Sequence, residues 1–133
     1  MIELSVVILT KNEERNIKDC LESVVGWADE ILIIDDTSTD NTVAIARKYT
    51  DRIIIRKMDI EGRHRNFAYS QAKNLWVLSL DADERMSKEL KNEIKDALKP
   101  DTKYNGFTIP RRNFIGNYWV KFAGWYPSPQ LKQ

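Results

Sequence analysis

Four short apolar runs, each leading into a polar end and an amphipathic stretch, constrain the fold of this chain more than any other feature. Leu4-Ser5-Val6-Val7-Ile8-Leu9 is the first, residues 31–34 the second, Ile53-Ile54-Ile55 the third and Leu75-Trp76-Val77-Leu78-Ser79-Leu80 the fourth. They have strand length and little polar alternation, so they read as strands buried on both faces. Helical patterns lie between them. Ile17, Cys20, Leu21 and Val24 share one face, with Asn12 as the expected cap. Glu13 and Glu14 suit the positive first turn of that helix, and Gly26 suits its stop. Asp40 or Asn41 caps a second helix leading to Tyr49, and a third is expected over residues 63–73. Ser87 caps a fourth, whose Leu90, Ile94, Ala97 and Leu98 share a face before Pro100 ends it. This alternation predicts an α/β, Rossmann-like fold: a mostly parallel sheet flanked by helices.

In such sheets, ligands bind beyond the carboxyl ends of the strands. Those ends are Thr10-Lys11-Asn12-Glu13, Asp35-Asp36-Thr37-Ser38 and Asp81-Ala82-Asp83-Glu84. All are polar and two are strongly acidic. The five glycines form neither GxGxxG nor GxxxxGK[ST], which argues against a dinucleotide dehydrogenase or a P-loop NTPase. Phosphate bound here must instead be held by a cation and basic side chains. Asp81 and Asp83 fall on the same side of an extended chain, and a divalent cation would offset their repulsion. The plainer reading makes Asp81 a solvated loop residue and Asp83 a cap for the helix near Ser87. Asp36 suits a ligand's ring N–H or hydroxyl, or simply a turn. Asp35 is expected to pair with backbone or a neighbouring helix. Arg65 and Arg63 flank His64 in a cluster suited to a diphosphate, or to solvent. His64 is the chain's one histidine, so a histidine-rich metal site is excluded and no role is assigned to it.

The bulk composition narrows the function classes. The 133 residues suffice for one domain with a core. A formal net charge of +1, from 21 basic and 20 acidic groups, gives no support to nucleic-acid binding. The single cysteine excludes an internal disulfide and favours a cytoplasmic location. No signal peptide is evident, and no run approaches the ~20 apolar residues of a membrane span. The tail differs: eight of the thirteen aromatics fall within residues 104–126, among Pro110, Pro127 and other breakers. A strand is expected over residues 106–109, with irregular structure after it. Trp119, Trp125 and Tyr126 suit stacking on a sugar, or burial in a core or interface. An exposed aromatic tail would favour self-association.

Four ordered motifs together resemble family 2 glycosyltransferases of the GT-A (nucleotide-diphospho-sugar transferase) fold, over essentially the whole chain. They are Val6-Val7-Ile8-Leu9-Thr10-Lys11-Asn12-Glu13-Glu14, the segment from Glu30 through Asp35-Asp36-Thr37-Ser38 to Thr42, Arg65-Asn66-Phe67-Ala68, and Trp76 through Asp81-Ala82-Asp83-Glu84. Trp27-Ala28-Asp29-Glu30 and Trp125-Tyr126-Pro127-Ser128-Pro129-Gln130-Leu131 are most similar to the bacterial branch that builds lipopolysaccharide core and other cell-surface glycans.

The resemblance implies a single GT-A domain over residues 1–133, with βα units in 1–100 and the start of an acceptor region in 101–133. Thr10, Asn12 and Glu13 would line the nucleotide pocket, Asp36 would contact the base and Arg65 the diphosphate. Asp81 and Asp83 would hold ribose and Mn²⁺ or Mg²⁺, with Asp83 the more direct metal ligand. The activity implied is inverting sugar transfer from a nucleotide-diphosphate donor, commonly a UDP-sugar, to a glycan or lipid-linked acceptor at the inner face of the membrane. Family members continue beyond the length seen here, so the chain is expected to be C-terminally shortened and to lack the catalytic base. A donor-binding fragment without turnover and a sugar nucleotidyltransferase are the alternatives. The second lacks its glycine-rich basic loop after the first strand. A receiver-like signalling domain fits poorly, because the third strand leads to Arg56-Lys57-Met58-Asp59.

Overall fold

The structure is a computed structural model that describes residues 3–98, 106–110 and 117–122. The elements run β1 (Leu4–Thr10), α1 (Ile17–Glu22), β2 (Glu30–Asp35), α2 (Thr42–Ala46), β3 (Ile53–Ile55), α3 (Glu61–Ser70), β4 (Trp76–Asp81), α4 (Lys88–Ala97), β5 (Gly106–Pro110) and β6 (Asn117–Phe122). They build one sheet in the order β3-β2-β1-β4-β6-β5. The first four strands are mutually parallel, while β6 pairs antiparallel with both β4 and β5.

The period-two alternation within the central strands explains the layering. Val6 and Ile8 of β1, Ile31 and Ile33 of β2, and Leu78 and Leu80 of β4 pack on one face. There they meet Ile17, Cys20, Leu21 and Val24 beside α1 and Ile94 and Leu98 beside α4. Val7, Leu32, Ile34 and Val77 point the other way, onto Ala68 and Tyr69 of α3. Both faces of the three central strands are therefore covered.

Several local expectations need correction. Asn12 does not cap α1: it sits at φ 52, and the cap position is Asn16. A left-handed residue cannot lead directly into a helix, so a turn closed by the Asn16 and Ile17 N–H groups on the Glu13 carbonyl comes first. The third helix spans Glu61–Ser70, not residues 63–73. It ends early because the Ser70 hydroxyl turns back to the Phe67 carbonyl, while Gln71 and Ala72 N–H groups close tighter turns on Ala68 and Tyr69. Residues 117–122 form a strand, not irregular structure. Leu75 lies outside β4 and is exposed. Ser87 does cap α4, its hydroxyl oxygen accepting the Leu90 N–H at 3.1 Å. Gly26 does take the left-handed conformation, at φ +81, but it is not the stop of α1, which ends at Glu22 with Ser23 as its C-cap. Trp125 and Tyr126 lie outside the described residues.

The amino edge of the sheet is tied by one carboxylate. Glu30 Oε1 accepts the Ser5 hydroxyl at 2.7 Å and the Lys73 N–H at 2.8 Å, and Oε2 accepts Arg52 Nε at 3.0 Å. One side chain on β2 thus links β1 with the segments entering β3 and β4. Burial pushes the Glu30 pKa up, but the Lys73 N–H, the Ser5 hydroxyl and Arg52 outweigh it and hold the carboxyl below its ordinary 4.5. A depressed folded-state pKa contributes stability that is present above the unfolded value. We therefore expect Glu30→Gln to cost ~2 kcal/mol at neutral pH, a value discounted because the Arg52 side chain is partly solvated. Urea melts at several pH values should show that difference shrinking below pH 4.5, as acid protonates the parent's Glu30. A pH-independent difference would contradict the assignment.

Candidate functional site

The strand order reverses direction at β1, with β2 and β3 on one side and β4 on the other. The carboxyl ends of β1 and β4 therefore flank the crevice in which open α/β sheets bind ligands. Register places Thr10 opposite Asp35 and Leu9 opposite Asp81. The sequence-predicted site residues gather along this edge.

Thr10 is buried, and its hydroxyl donates to Asp35 Oδ1 at 2.6 Å. Asp35 also accepts the Ser38 hydroxyl at 2.6 Å and the Ser38 N–H at 2.8 Å. Asp35 therefore pairs with the adjacent strand and its own loop, not with a helix. Asn12 and Glu13 belong to a second interlocked layer. The Asn12 N–H reaches Ser38 Oγ at 2.8 Å, its Oδ1 accepts the Thr39 N–H at 2.7 Å, and the Glu13 N–H reaches Thr42 Oγ1 at 2.8 Å. Glu14 and Asn41 add an N–H each, to Asp40 and Glu14 carboxylates. The loops after β1 and β2 are thereby one braced unit. Thr37 within it has φ 48, a strained value for a β-branched residue. Such strain persists only where surroundings over-determine it, and the Asp35–Ser38 bonds supply that constraint.

Asp36 is also buried. Its N–H donates to the Thr10 carbonyl at 2.9 Å, Oδ1 accepts the Met58 N–H at 2.8 Å, and Oδ2 lies 3.7 Å from Lys11 Nζ. The Met58 N–H, opposed by burial and helped by Lys11, holds its pKa below the usual carboxylate value. Asp36 is thus anionic at neutral pH. His64 is buried on α3, with Nδ1 2.9 Å from Arg56 Nη1. A guanidinium only donates, so this ring nitrogen accepts. Burial and then Arg56 depress the imidazole pKa, so His64 is neutral. Sequence reasoning gave His64 no part, since nothing local marks it as the prop for Arg56, which lies over the Phe67 ring 5.0 Å from its centroid.

Arg65 spans from α3 to β4. Its Nε donates to Glu61 at 3.0 Å and its Nη1 to Ser79 Oγ at 3.4 Å. Burial would lower its pKa, but Tyr69, Glu61 and Asp81 together raise it. The fold thus brings Arg65 and Asp81 into one electrostatic neighbourhood.

Asp81 ends β4, and both it and Asp83 are exposed on either side of the buried Ala82. Beneath them, the Cys20 thiol lies 3.6 Å from the Asp81 carbonyl. Its pKa is pushed up to about 12, first by burial and then by Glu84, Asp81, Asp83 and Glu13. That thiol is therefore inert at neutral pH. Among the described residues, neither the Asp81 nor the Asp83 carboxylate has an ion pair or hydrogen bond. No group of three acidic, histidine or cysteine side chains there forms a ready-made metal cage. Two free carboxylates are nevertheless a hard-oxygen donor pair of the kind that shares Mg²⁺ or Mn²⁺ with substrate phosphates. The residues present fit that ion. A cavity of about 430 Å³ lies instead at the amino edge, lined by Glu30, Arg52 and Lys73, whose polar groups serve the structural tie described above.

Comparisons with known proteins bear on the family and the fold. The model for glycosyl transferase family 2 matches residues 5–132. An uncharacterized glycosyltransferase of Rickettsia conorii is 41% identical over 93 residues, covering 70% of this chain and 33% of that protein. The lipopolysaccharide core biosynthesis glycosyltransferase LpsC of Rhizobium meliloti is 31% identical over 122 residues, covering 88% and 45%. The crystal structure of S. aureus TarS 1-349 in complex with UDP superposes with a TM-score of 0.68 at 26% identity, covering 86% of this chain and 37% of that one. The chain thus spans a third to under half of the length of these proteins. With both its sequence and its GT-A architecture accounted for, the chain belongs to glycosyl transferase family 2.

Proposed function

We propose that this chain holds the nucleotide-sugar donor, a UDP-sugar, of an inverting, metal-dependent glycosyltransferase in cell-surface glycan synthesis. The observation that carries the reading is the pair of exposed carboxylates, Asp81 and Asp83, at the end of β4 near Arg65, without an ion pair among the described residues. The UDP complex of TarS and the likeness to LpsC support the donor class and the cell-envelope acceptor.

Asp36 accepts from the base, with Lys11 and the Met58 N–H holding it anionic and oriented. Thr10, Asn12 and Glu13 shape the pocket mainly through backbone, since the Thr10 hydroxyl and the Asn12 amide oxygen serve the adjoining loop. Arg65 presents its guanidinium to the diphosphate. Asp83, aided by Asp81, holds Mn²⁺ or Mg²⁺, and Asp81 also meets the ribose. When bound, the cation supplies charge neutralisation at the departing nucleoside diphosphate. A carboxylate base takes the acceptor hydroxyl proton; none of the residues named here is assigned that role. The acceptor is a glycan or lipid-linked saccharide, reached at the cytoplasmic face of the membrane. Among the described residues, no helix is long and apolar enough to cross a bilayer.

Calorimetry with UDP and GDP, with and without Mn²⁺, tests this reading. UDP binding should require the metal, and Asp83→Ala should weaken it roughly tenfold or more, ~1.4 kcal/mol. Asp36→Ala should weaken UDP binding while leaving the metal requirement unchanged. Arg65→Lys, which keeps the charge but loses the fork, should cost several-fold in affinity for UDP and little for uridine. No nucleotide binding by the parent, or an Asp83→Ala chain indistinguishable from it, would sink the proposal.

A further inference from the structure

The turn that carries Asp81 and Asp83 is closed by a buried carboxylate to which the donor-site reading assigns no part. Glu84 is 7% exposed, while its acidic neighbours face solvent. It grips Asp81 twice. The Glu84 N–H donates to the Asp81 carbonyl at 3.0 Å, and Glu84 Oε1 accepts the Asp81 N–H at 2.9 Å. Asp81 lies past the last β4–β6 pair, Ser79 with Trp119, so this N–H goes to a side chain and not to the ladder.

The rest of the loop is tied down from α1. The Cys20 thiol meets the Asp81 carbonyl at 3.6 Å, and the Met86 N–H donates to Ser23 Oγ at 2.9 Å. The Ser23 hydroxyl in turn donates to the Cys20 carbonyl at 2.7 Å. The turn is therefore held at both ends from below, and Glu84 closes it from within. Two carboxylates one residue apart share a cation well only when the backbone between them keeps its shape.

We propose that Glu84 is a positioning residue: by accepting the Asp81 N–H it sets the spacing of the Asp81 and Asp83 carboxylates for the cation and diphosphate of the donor. The inference rests on the donor-site reading above. The role belongs to an acceptor oxygen at the end of a three-carbon reach. Glutamine preserves that oxygen, and methionine keeps the length and bulk without it.

The test compares the parent, Glu84→Gln and Glu84→Met chains. UDP binding is titrated calorimetrically across a series of Mn²⁺ concentrations, and exchange of the Asp81 amide is followed by NMR without ligand. Glu84→Gln should match the parent's Mn²⁺ requirement within about twofold, whereas Glu84→Met should need roughly tenfold more Mn²⁺ and bind UDP normally once saturated. The Asp81 amide should be protected in the parent and in Glu84→Gln, and should exchange at least about tenfold faster in Glu84→Met. A Glu84→Met chain with the parent's Mn²⁺ requirement overturns the proposal, as does a Glu84→Gln chain as impaired as Glu84→Met. An unprotected Asp81 amide in the parent overturns it even if Glu84→Met fails to fold. Absence of UDP binding by the parent at every Mn²⁺ concentration is a separate result. It overturns the donor-site reading, and this inference with it.

Discussion

Burial of β1 on both faces is the constraint from which the rest follows. Val6 and Ile8 point into one core and Val7 into the other, all fully buried. A strand in that position has no solvated face on which to place chemistry. Polar function is displaced to its ends, and the reversal of strand order beside β1 leaves a crevice at the carboxyl end. The loops there must be rigid without help from a core. They achieve this by trading backbone N–H groups for side-chain oxygens across the gap, from Asn12, Glu13 and Glu14 to Ser38, Thr42 and Asp40.

The two edges of the sheet treat acidic residues in opposite ways. At the amino edge, Glu30 has Arg52, and Asp29 has Lys95 at 3.5 Å together with the Leu4 N–H. These carboxylates are neutralised within the protein and contribute to stability. At the carboxyl edge of β4, Asp81 and Asp83 are left without such partners among the described residues. Like charges held close together cost stability unless an external cation relieves them. Asp36 falls between these cases: anionic and oriented, yet with its Oδ2 only loosely engaged by Lys11 at 3.7 Å.

Much of the element order was legible because the four parallel strands are short, largely apolar runs and α1 and α4 each have one apolar face. Ile53–Ile55 and the Ser87 cap are found where the pattern puts them. Asn12 misled because its residue type suits both a helix cap and the left-handed region, and only the opposing loop decides between them. The strand at Asn117–Phe122 was obscured by aromatic density and flanking breakers, although its alternation of Tyr118, Val120 and Phe122 with more varied residues was a usable signal. His64 and Glu84 could not be assigned at all, because their partners, Arg56 and the Asp81 N–H, count only once a turn has brought them into reach.

Residue order alone determined the βα alternation, the two-sided core and the placement of polar side chains at strand ends, since these depend on local periodicity and on where apolar runs stop. Which acids are neutralised and which stay available was decided by tertiary structure. Asp35 and Asp36 are adjacent in sequence, yet one is consumed by Thr10 and Ser38 while the other turns to Met58 and Lys11. Glu84 and Asp83 are likewise neighbours, and the turn buries the first while exposing the second. Periodicity indicates which face a side chain takes. The partner waiting on that face comes from distant segments, and their arrival fixes whether a carboxylate braces the fold or is left free for a ligand.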